Sequence, residues 1–469
     1  MGAEEPSNAA TAVPVLALGA TSASRVLCSY RGQLRVTVVA KATFALTPER
    51  EMTPVAPAEI VVDSIHLDGK PMKSVRACSD LAPHLERAEV LFVGRAYAPG
   101  AGLIRYPVRL AVASHGAMLV DKRLEVTGDR PKLPGGGRGD PRPFQSMPLI
   151  YERAYGGIGC VDNPLGPGLE EGSAPPNVTY PDPRLAKQPA SFAPIAPSWP
   201  ARKQLLKGLG RKVLDAPIVA LPDDFDLAYF QSAPADQRTA RLAGREWILL
   251  EGLHAKHARL RTQLPAMRAG ALVYGPGWPR QPFELLPDTL LIDGDAERCS
   301  VVFRASFPVR EDALASICVA AGVHLAGEPP IAWPDALSPS EVAPPKAPKQ
   351  GGAPAPRTWS STLTFDDDLP AADIVLPFAV SDDDPMSRRA HAEIPGAPWA
   401  KAAIAATPLA RAAIAPVDVP TDVTLPPRFS DASPSVPPPA PPSAPPPPPA
   451  PKAGSPWAPE GAPAPAPPP

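Results

Sequence analysis

The chain has 469 residues, 71 of them proline, about three times the usual share of roughly 5 %, and that content excludes a mostly helical protein because proline breaks the i→i−4 ladder and restricts its predecessor. Its 46 Lys and Arg against 48 Asp and Glu leave a formal charge of −2, with no cationic excess to hold a phosphate backbone, so nucleic acid is not an expected partner. No window approaches the 18 or so consecutive apolar residues of a membrane span, and five scattered cysteines do not make a disulfide scaffold.

The prolines divide the chain. Residues 1–320 hold 33 of them, 321–430 hold 19, and the last 39 residues hold another 19. The foldable part is therefore expected within residues 20–320, behind a flexible start at 1–19. That start carries Glu4 and Glu5, no basic residue and only the short apolar run Val13–Leu18. It lacks the pattern of a secretory leader, and a cytoplasmic, reducing location is the expectation.

Leu34–Leu46 gives the clearest strand. Leu34, Val36, Val38, Ala40, Ala42, Phe44 and Leu46 share one face, and Arg35, Thr37, Lys41 and Thr43 take the other, as in a sheet with one wet side. Ile60–Leu67 and Ala88–Ala96 are shorter candidates. Tyr106–Ala113 and Ala117–Val126 flank Ser114, His115 and Gly116 as an antiparallel hairpin. Residues 127–200 are rich in Gly and Pro and read as long loops pinned by aromatic-bearing pieces at Met147–Gly157 and Phe192–Trp199. A short helix is predicted over Ala201–Leu209, stopped by Gly210. Asp223, Asp224 and Asp226 surround Phe225 and are placed to cap a helical turn carrying Tyr229 and Phe230. Glu246–Glu251 reads as a strand and Leu253–Leu260 is ambiguous. Thr289–Ile292 and Cys299–Phe307 form a second hairpin. The expected class is thus mainly β, with antiparallel sheets, a few short helices and long ordered loops.

Residues 321–431 read as a Pro/Ala-rich linker with apolar islands at Thr362–Phe365 and Ile374–Phe378, each beside an Asp triplet, and with a weak helix over 399–414 broken at Pro408. Residues 432–469 are low-complexity, with five consecutive prolines at 445–449, a composition that favours a disordered, extended tail.

The motifs of chemistry are incomplete. The glycine run at 135–139 is followed by no Gly-Lys-Ser/Thr, and Gly208-Leu-Gly210 lacks the third glycine of a dinucleotide fingerprint. His254 and His257 have no completing ligand pattern, and Asp366–Asp368 has no EF-hand spacing. Cys160 lies in a glycine-rich loop with no nearby His. No catalytic, metal-binding or cofactor-binding residue is expected.

Several pieces, in order, carry a resemblance: Gly94-Arg-Ala-Tyr-Ala-Pro99, Pro148-Leu-Ile-Tyr-Glu-Arg-Ala-Tyr-Gly-Gly157, Asn163-Pro-Leu-Gly166, Trp199-Pro-Ala-Arg202, Pro222-Asp-Asp-Phe-Asp226 with Tyr229-Phe230, Leu242-Ala-Gly-Arg-Glu246 and Val301–Pro308. Over residues 20–310 the chain resembles the bacterial domain-of-unknown-function family 2169. The resemblance implies a non-enzymatic adaptor or chaperone in the cytoplasm, whose partner is a type VI secretion effector or a PAAR-type spike-tip component. The alternative is an enzyme of unrecognised type, such as a hydrolase, with its site in the 147–237 loops. Tyr151, Glu152, Arg153, Tyr155, Gly156, Gly157, Trp199, Asp224, Phe225, Tyr229 and Phe230 are the residues expected either to anchor these loops or to face a partner.

Overall fold

The computed structural model describes residues 13–134, 137–168 and 174–342, without the side chains of residues 211 and 212. The expectations for 343–469, including the apolar islands, the weak helix and the proline-rich tail, lie outside the described residues. In chain order the principal strands are β1 (Val15–Leu18), β2 (Ser22–Tyr30), β3 (Gln33–Ala45), β4 (Ala88–Val93), β5 (Arg105–Ser114), β6 (Ala117–Thr127), β7 (Val178–Thr179), β8 (Val219–Leu221), β9 (Trp247–Glu251), β10 (Arg259–Gln263), β11 (Met267–Tyr274), β12 (Phe283–Asp293), β13 (Arg298–Pro308) and β14 (Cys318–Leu325). The protein is mainly β with few short helices, as composition and pattern require. No helix among the described residues is long and apolar enough to cross a membrane.

Two sheets make the core. The larger runs β1-β14-β11-β12-β13-β3-β2-β8. The side of β12 away from β13 is shared, pairing with β11 through Phe283–Leu285 and with β4 through Thr289–Asp293. Three of its pairings are parallel (β1 with β14, β8 with β2 and β4 with β12), so it is mixed rather than purely antiparallel. The smaller sheet, β7-β6-β5-β9-β10, is antiparallel throughout. Phe44, Phe92, Phe303 and Phe307 of the larger sheet and Leu110, Leu124, Ile248 and Leu250 of the smaller one belong to a single buried cluster. Burial of one such side chain is worth about 1.5–3 kcal/mol, and this shared core holds the sheets together. The β5–β6 hairpin turns through His115 (φ 48°) and Gly116 (φ 79°), a two-residue turn with both central residues left-handed that matches strand twist.

The face of β3 expected to be wet is buried. Arg35, Thr37, Lys41 and Thr43 are all inaccessible: Arg35 bonds Ser306 on the neighbouring strand, and the chain between residues 55 and 85 folds across the other three. Thr37 Oγ1 donates to the Pro83 carbonyl at 2.8 Å, and Lys41 Nζ donates to the Glu59 carbonyl and pairs with Asp80 at 2.8 Å. Arg304, one strand over, is ion-paired with buried Asp288. This covering also explains why Ile60–Leu67 is no strand beyond Ile65–His66. Its backbone is spent on the face below, with the Val61 N–H donating to Asp80 Oδ2.

Both expected borders of the folded part move outward. β1 falls inside the expected flexible start and pairs in register with β14, which crosses residue 320. The predicted helix over Ala201–Leu209 is shorter, an α-turn at Pro200–Lys203 continued by a 3-10 turn at Gln204–Leu206. Lys207 closes it in the left-handed conformation (φ 49°), before Gly210 is reached. Leu253–Leu260 resolves into a turn entering β10.

Candidate functional site

The 147–168 loop is a knot tied around one side chain. Tyr151–Arg153 forms a 3-10 turn, and the fully buried Asn163 donates from Nδ2 to the carbonyls of Tyr151 and Tyr155, both at 2.9 Å. Its Oδ1 accepts from the Leu165 N–H, and its own carbonyl accepts from the Gly157 N–H at 2.9 Å. Gly156 has to be glycine because a Cβ there would lie 2.3 Å from the Asn163 carbonyl oxygen. Gly157 adopts φ 115°, a region that side chains resist.

The neighbouring residues bolt this knot to the sheets. Buried Tyr151 packs edge-on against Trp199 at 4.7 Å and donates its hydroxyl to the Ala193 carbonyl. Glu152 accepts from the Ser74 N–H at 2.9 Å and from its hydroxyl. Arg153 reaches Asp129 at 2.6 Å and Asn177 at 3.1 Å. The ring of Tyr155 lies beside Gly168. What the knot displays is its tip: Ile158 is 82 % exposed and Val161 is exposed beside it.

The second set of expected residues gathers around residues 222–230. Asp226 caps the turn Leu227–Phe230 by accepting from the Ala228 N–H at 2.9 Å. Phe225, Tyr229 and Phe230 pack on one another, with centroids 5.4 to 6.1 Å apart. Phe225 and Tyr229 are buried, whereas Phe230 is half-buried. Asp224 is exposed and pairs with Lys207 at 2.8 Å. Arg202 ties the two sets together: its guanidinium donates to the carbonyls of Tyr229 (3.0 Å from Nε) and Ile195 (2.6 Å).

Between β2, the 62–83 loop and the 197–230 segment lies a cleft of about 570 Å³. Arg25, Cys78, Leu81, Arg202, Val219 and Phe230 are among its walls. Burial pushes the Cys78 thiol up, so it stays protonated, unlike an activated nucleophile. Cys160 merely closes the turn at the knot's tip through its backbone N–H to Gly157. His254 and His257 lie in a turn, not a helix: Nδ1 of His254 accepts from the backbone N–H groups of Lys256 and His257, both at 3.2 Å. Among the described residues no three His, Cys, Asp or Glu side chains gather closely enough to hold a metal ion.

Tyr151, Trp199 and Tyr229, expected either to anchor loops or to face a partner, are buried, whereas Asn163, Arg25 and Ile158 are not among the expected site residues. Asn163 sits just ahead of Pro164 among glycines, the only hint that its amide organises a turn. Arg25 lies in a strand whose short apolar stretches gave no clear alternation.

A β protein with two packed sheets and motif-bearing loops held as a knot on one side is the class this geometry defines. The family model described as an uncharacterized protein conserved in bacteria (DUF2169) matches residues 31–304, and the chain belongs to that family. No curated protein and no solved structure matches the chain.

Proposed function

We propose that this protein is a non-enzymatic adaptor or chaperone that binds a type VI secretion effector or spike-tip component in the cytoplasm. The observation that carries this reading is Ile158. A large apolar side chain stands 82 % exposed at the tip of a loop that Asn163 and Gly156 hold rigid. Displayed on a loop already fixed by its own hydrogen bonds, such a group offers a partner an apolar contact at low ordering cost. Val161 of the same loop extends the apolar offering.

Co-expression with the effector and spike-tip proteins of neighbouring genes tests it. The full chain is expected to co-purify with one of them, and Ile158→Asp to weaken the complex at least tenfold while its own melting transition is kept. Failure of all such partners to bind, together with turnover of a substrate that depends on a residue in 147–237, would turn the assignment to an enzyme.

A further inference from the structure

β2 has a strand on only one side for part of its length. β3 pairs with all of Ser22–Tyr30, but on the other edge β8 pairs with Cys28–Tyr30 alone. Where β8 departs, Arg25, Val26 and Leu27 line the cleft. An open strand edge with backbone groups facing a cleft is the geometry to which an extended peptide adds as a further strand.

The cleft also holds two guanidinium groups, Arg25 and Arg202, with Asp63 and Asp215 on its walls. Arg25 Nε is buried with no hydrogen-bond partner, and burial pushes its guanidinium pKa down with no carboxylate near enough to offset it. Arg202 is bonded to two neutral carbonyls and, among the described residues, is in no ion pair. Of the acidic residues lining the cleft, Asp215 is engaged in a contact of its own and Asp63 is exposed. A partly buried guanidinium whose Nε lacks an acceptor is costly, and a ligand carboxylate would relieve it with charge-assisted hydrogen bonds.

The chain carries a segment of matching chemistry. In residues 374–384, Ile-Val-Leu-Pro-Phe-Ala-Val-Ser-Asp-Asp-Asp, the side chains of Ile374, Leu376, Phe378 and Val380 recur with the period of two that puts them on one face of a strand. Three carboxylates follow directly. Pro377 lacks an N–H, which an edge strand tolerates. Thirty-one residues separate Val342 from Ile374, and they span at most about 110 Å.

The geometry points to the cleft beside β2 as a site for an acidic, apolar peptide, occupied by residues 374–384 of the same chain. In this arrangement Ile374–Val380 lies along Arg25–Leu27 with its apolar face in the cleft, and Asp382–Asp384 meets Arg25 and Arg202. The inference does not depend on the identity of any external partner, and the experiment below uses the protein alone, so its outcome is separate from that of the co-purification.

Hydrogen exchange read by mass spectrometry on the full chain tests it. Backbone amides of 374–384 are expected to exchange at least fivefold slower than in the corresponding free synthetic peptide, at a rate independent of protein concentration. Arg25→Gln and, separately, the double change Leu376→Ser with Phe378→Ser are each expected to abolish that protection. The second variant alters no residue of the two sheets, so it reads docking even if Arg25→Gln disturbs folding. Free-peptide exchange in the parent overturns the proposal, as does protection that survives the double change. Protection that grows with concentration overturns the same-chain assignment and places the segment in a second copy.

Discussion

Glu89 holds Ser232 with both carboxylate oxygens: Oε2 accepts from the Ser232 hydroxyl at 2.7 Å, and Oε1 accepts from its backbone N–H. The same Oε1 takes the Gln231 side-chain amide at 2.7 Å and the Ala233 N–H at 2.9 Å. Glu89 is 1 % exposed on β4, so the carboxylate is a buried clamp that fixes the end of the 222–233 segment to the larger sheet.

Glu89→Ala leaves four donors without their acceptor. Removing the acceptor of a buried charged network costs about 3–5 kcal/mol, so a loss of that size in urea unfolding is expected. Glu89→Gln is expected to fall between, because its amide nitrogen faces donors. An unchanged midpoint in the alanine variant would falsify the clamp.

The knot offers a coupled test. Gly156→Ala drives a Cβ onto the Asn163 carbonyl, and Asn163→Ala removes two donated bonds and one accepted bond. Each change is expected to cost about 2–4 kcal/mol. Because both act on the same turn, the double variant should lose clearly less than the sum of the two. Strict additivity in denaturant unfolding would show that the two residues do not share one structure.

Burial lowers the ammonium of Lys122 to about 8 from its ordinary 10.5, against the opposing pull of Asp236 at 2.9 Å. Between those values the unfolded chain keeps a proton that the folded chain has released. The contribution of Lys122 to stability therefore rises with pH across that window, by at most about 1.4 kcal/mol per pH unit. The thiols of Cys78, Cys299 and Cys318, each pushed up by burial, oppose this from about pH 8.5 upward, and Tyr180, whose phenol is pushed up by burial and by Asp236, opposes it near its ordinary value of 10 and above. In unfolding curves between about pH 7.5 and 9.5 the slope of stability against pH is expected to be more positive in the parent than in Lys122→Met, which keeps the same opposing thiols. Equal slopes in the two proteins would remove Lys122 as the cause.

Much of the β architecture is legible in the sequence because half-buried strands alternate. The β5–β6 and β12–β13 hairpins follow from alternation and turn residues alone. β3 shows where that logic stops. Its alternation of Val and Phe with Arg, Thr and Lys is real, yet Lys41 is 3 % exposed, because Asp80 and the Glu59 carbonyl arrive from a loop that no local pattern announces. A polar face neutralised by a distant carboxylate reads in sequence like a solvated face. The candidate loops divide in the same way. Tyr151 and Trp199 are conspicuous aromatics, whereas the residue that organises them, Asn163, is an ordinary asparagine whose importance lies in carbonyls 8 and 12 residues away.

The border expected at residue 320 yields the last prediction. The proline content of the following residues suggested a linker, but proline-rich chain can pack while making no ladder. Trp333 and Leu337 lie against buried Leu272, Tyr274, Cys318 and Val342. The Tyr274 hydroxyl donates to the Pro334 carbonyl at 3.0 Å, and Arg280 donates to the carbonyls of Pro334 and Asp335. Residues 331–342 thus cover the surface of β11 and β14 as a strap. Loss of its apolar contacts is worth on the order of 3 kcal/mol. A chain ending at Val342 and one ending at Pro329 separate this contribution from anything that residues 343–469 add. The shorter chain is expected to melt several degrees lower than the one ending at Val342, with new exposure of apolar surface read by dye binding. Coincident melting curves would return residues 330–342 to the status of a linker.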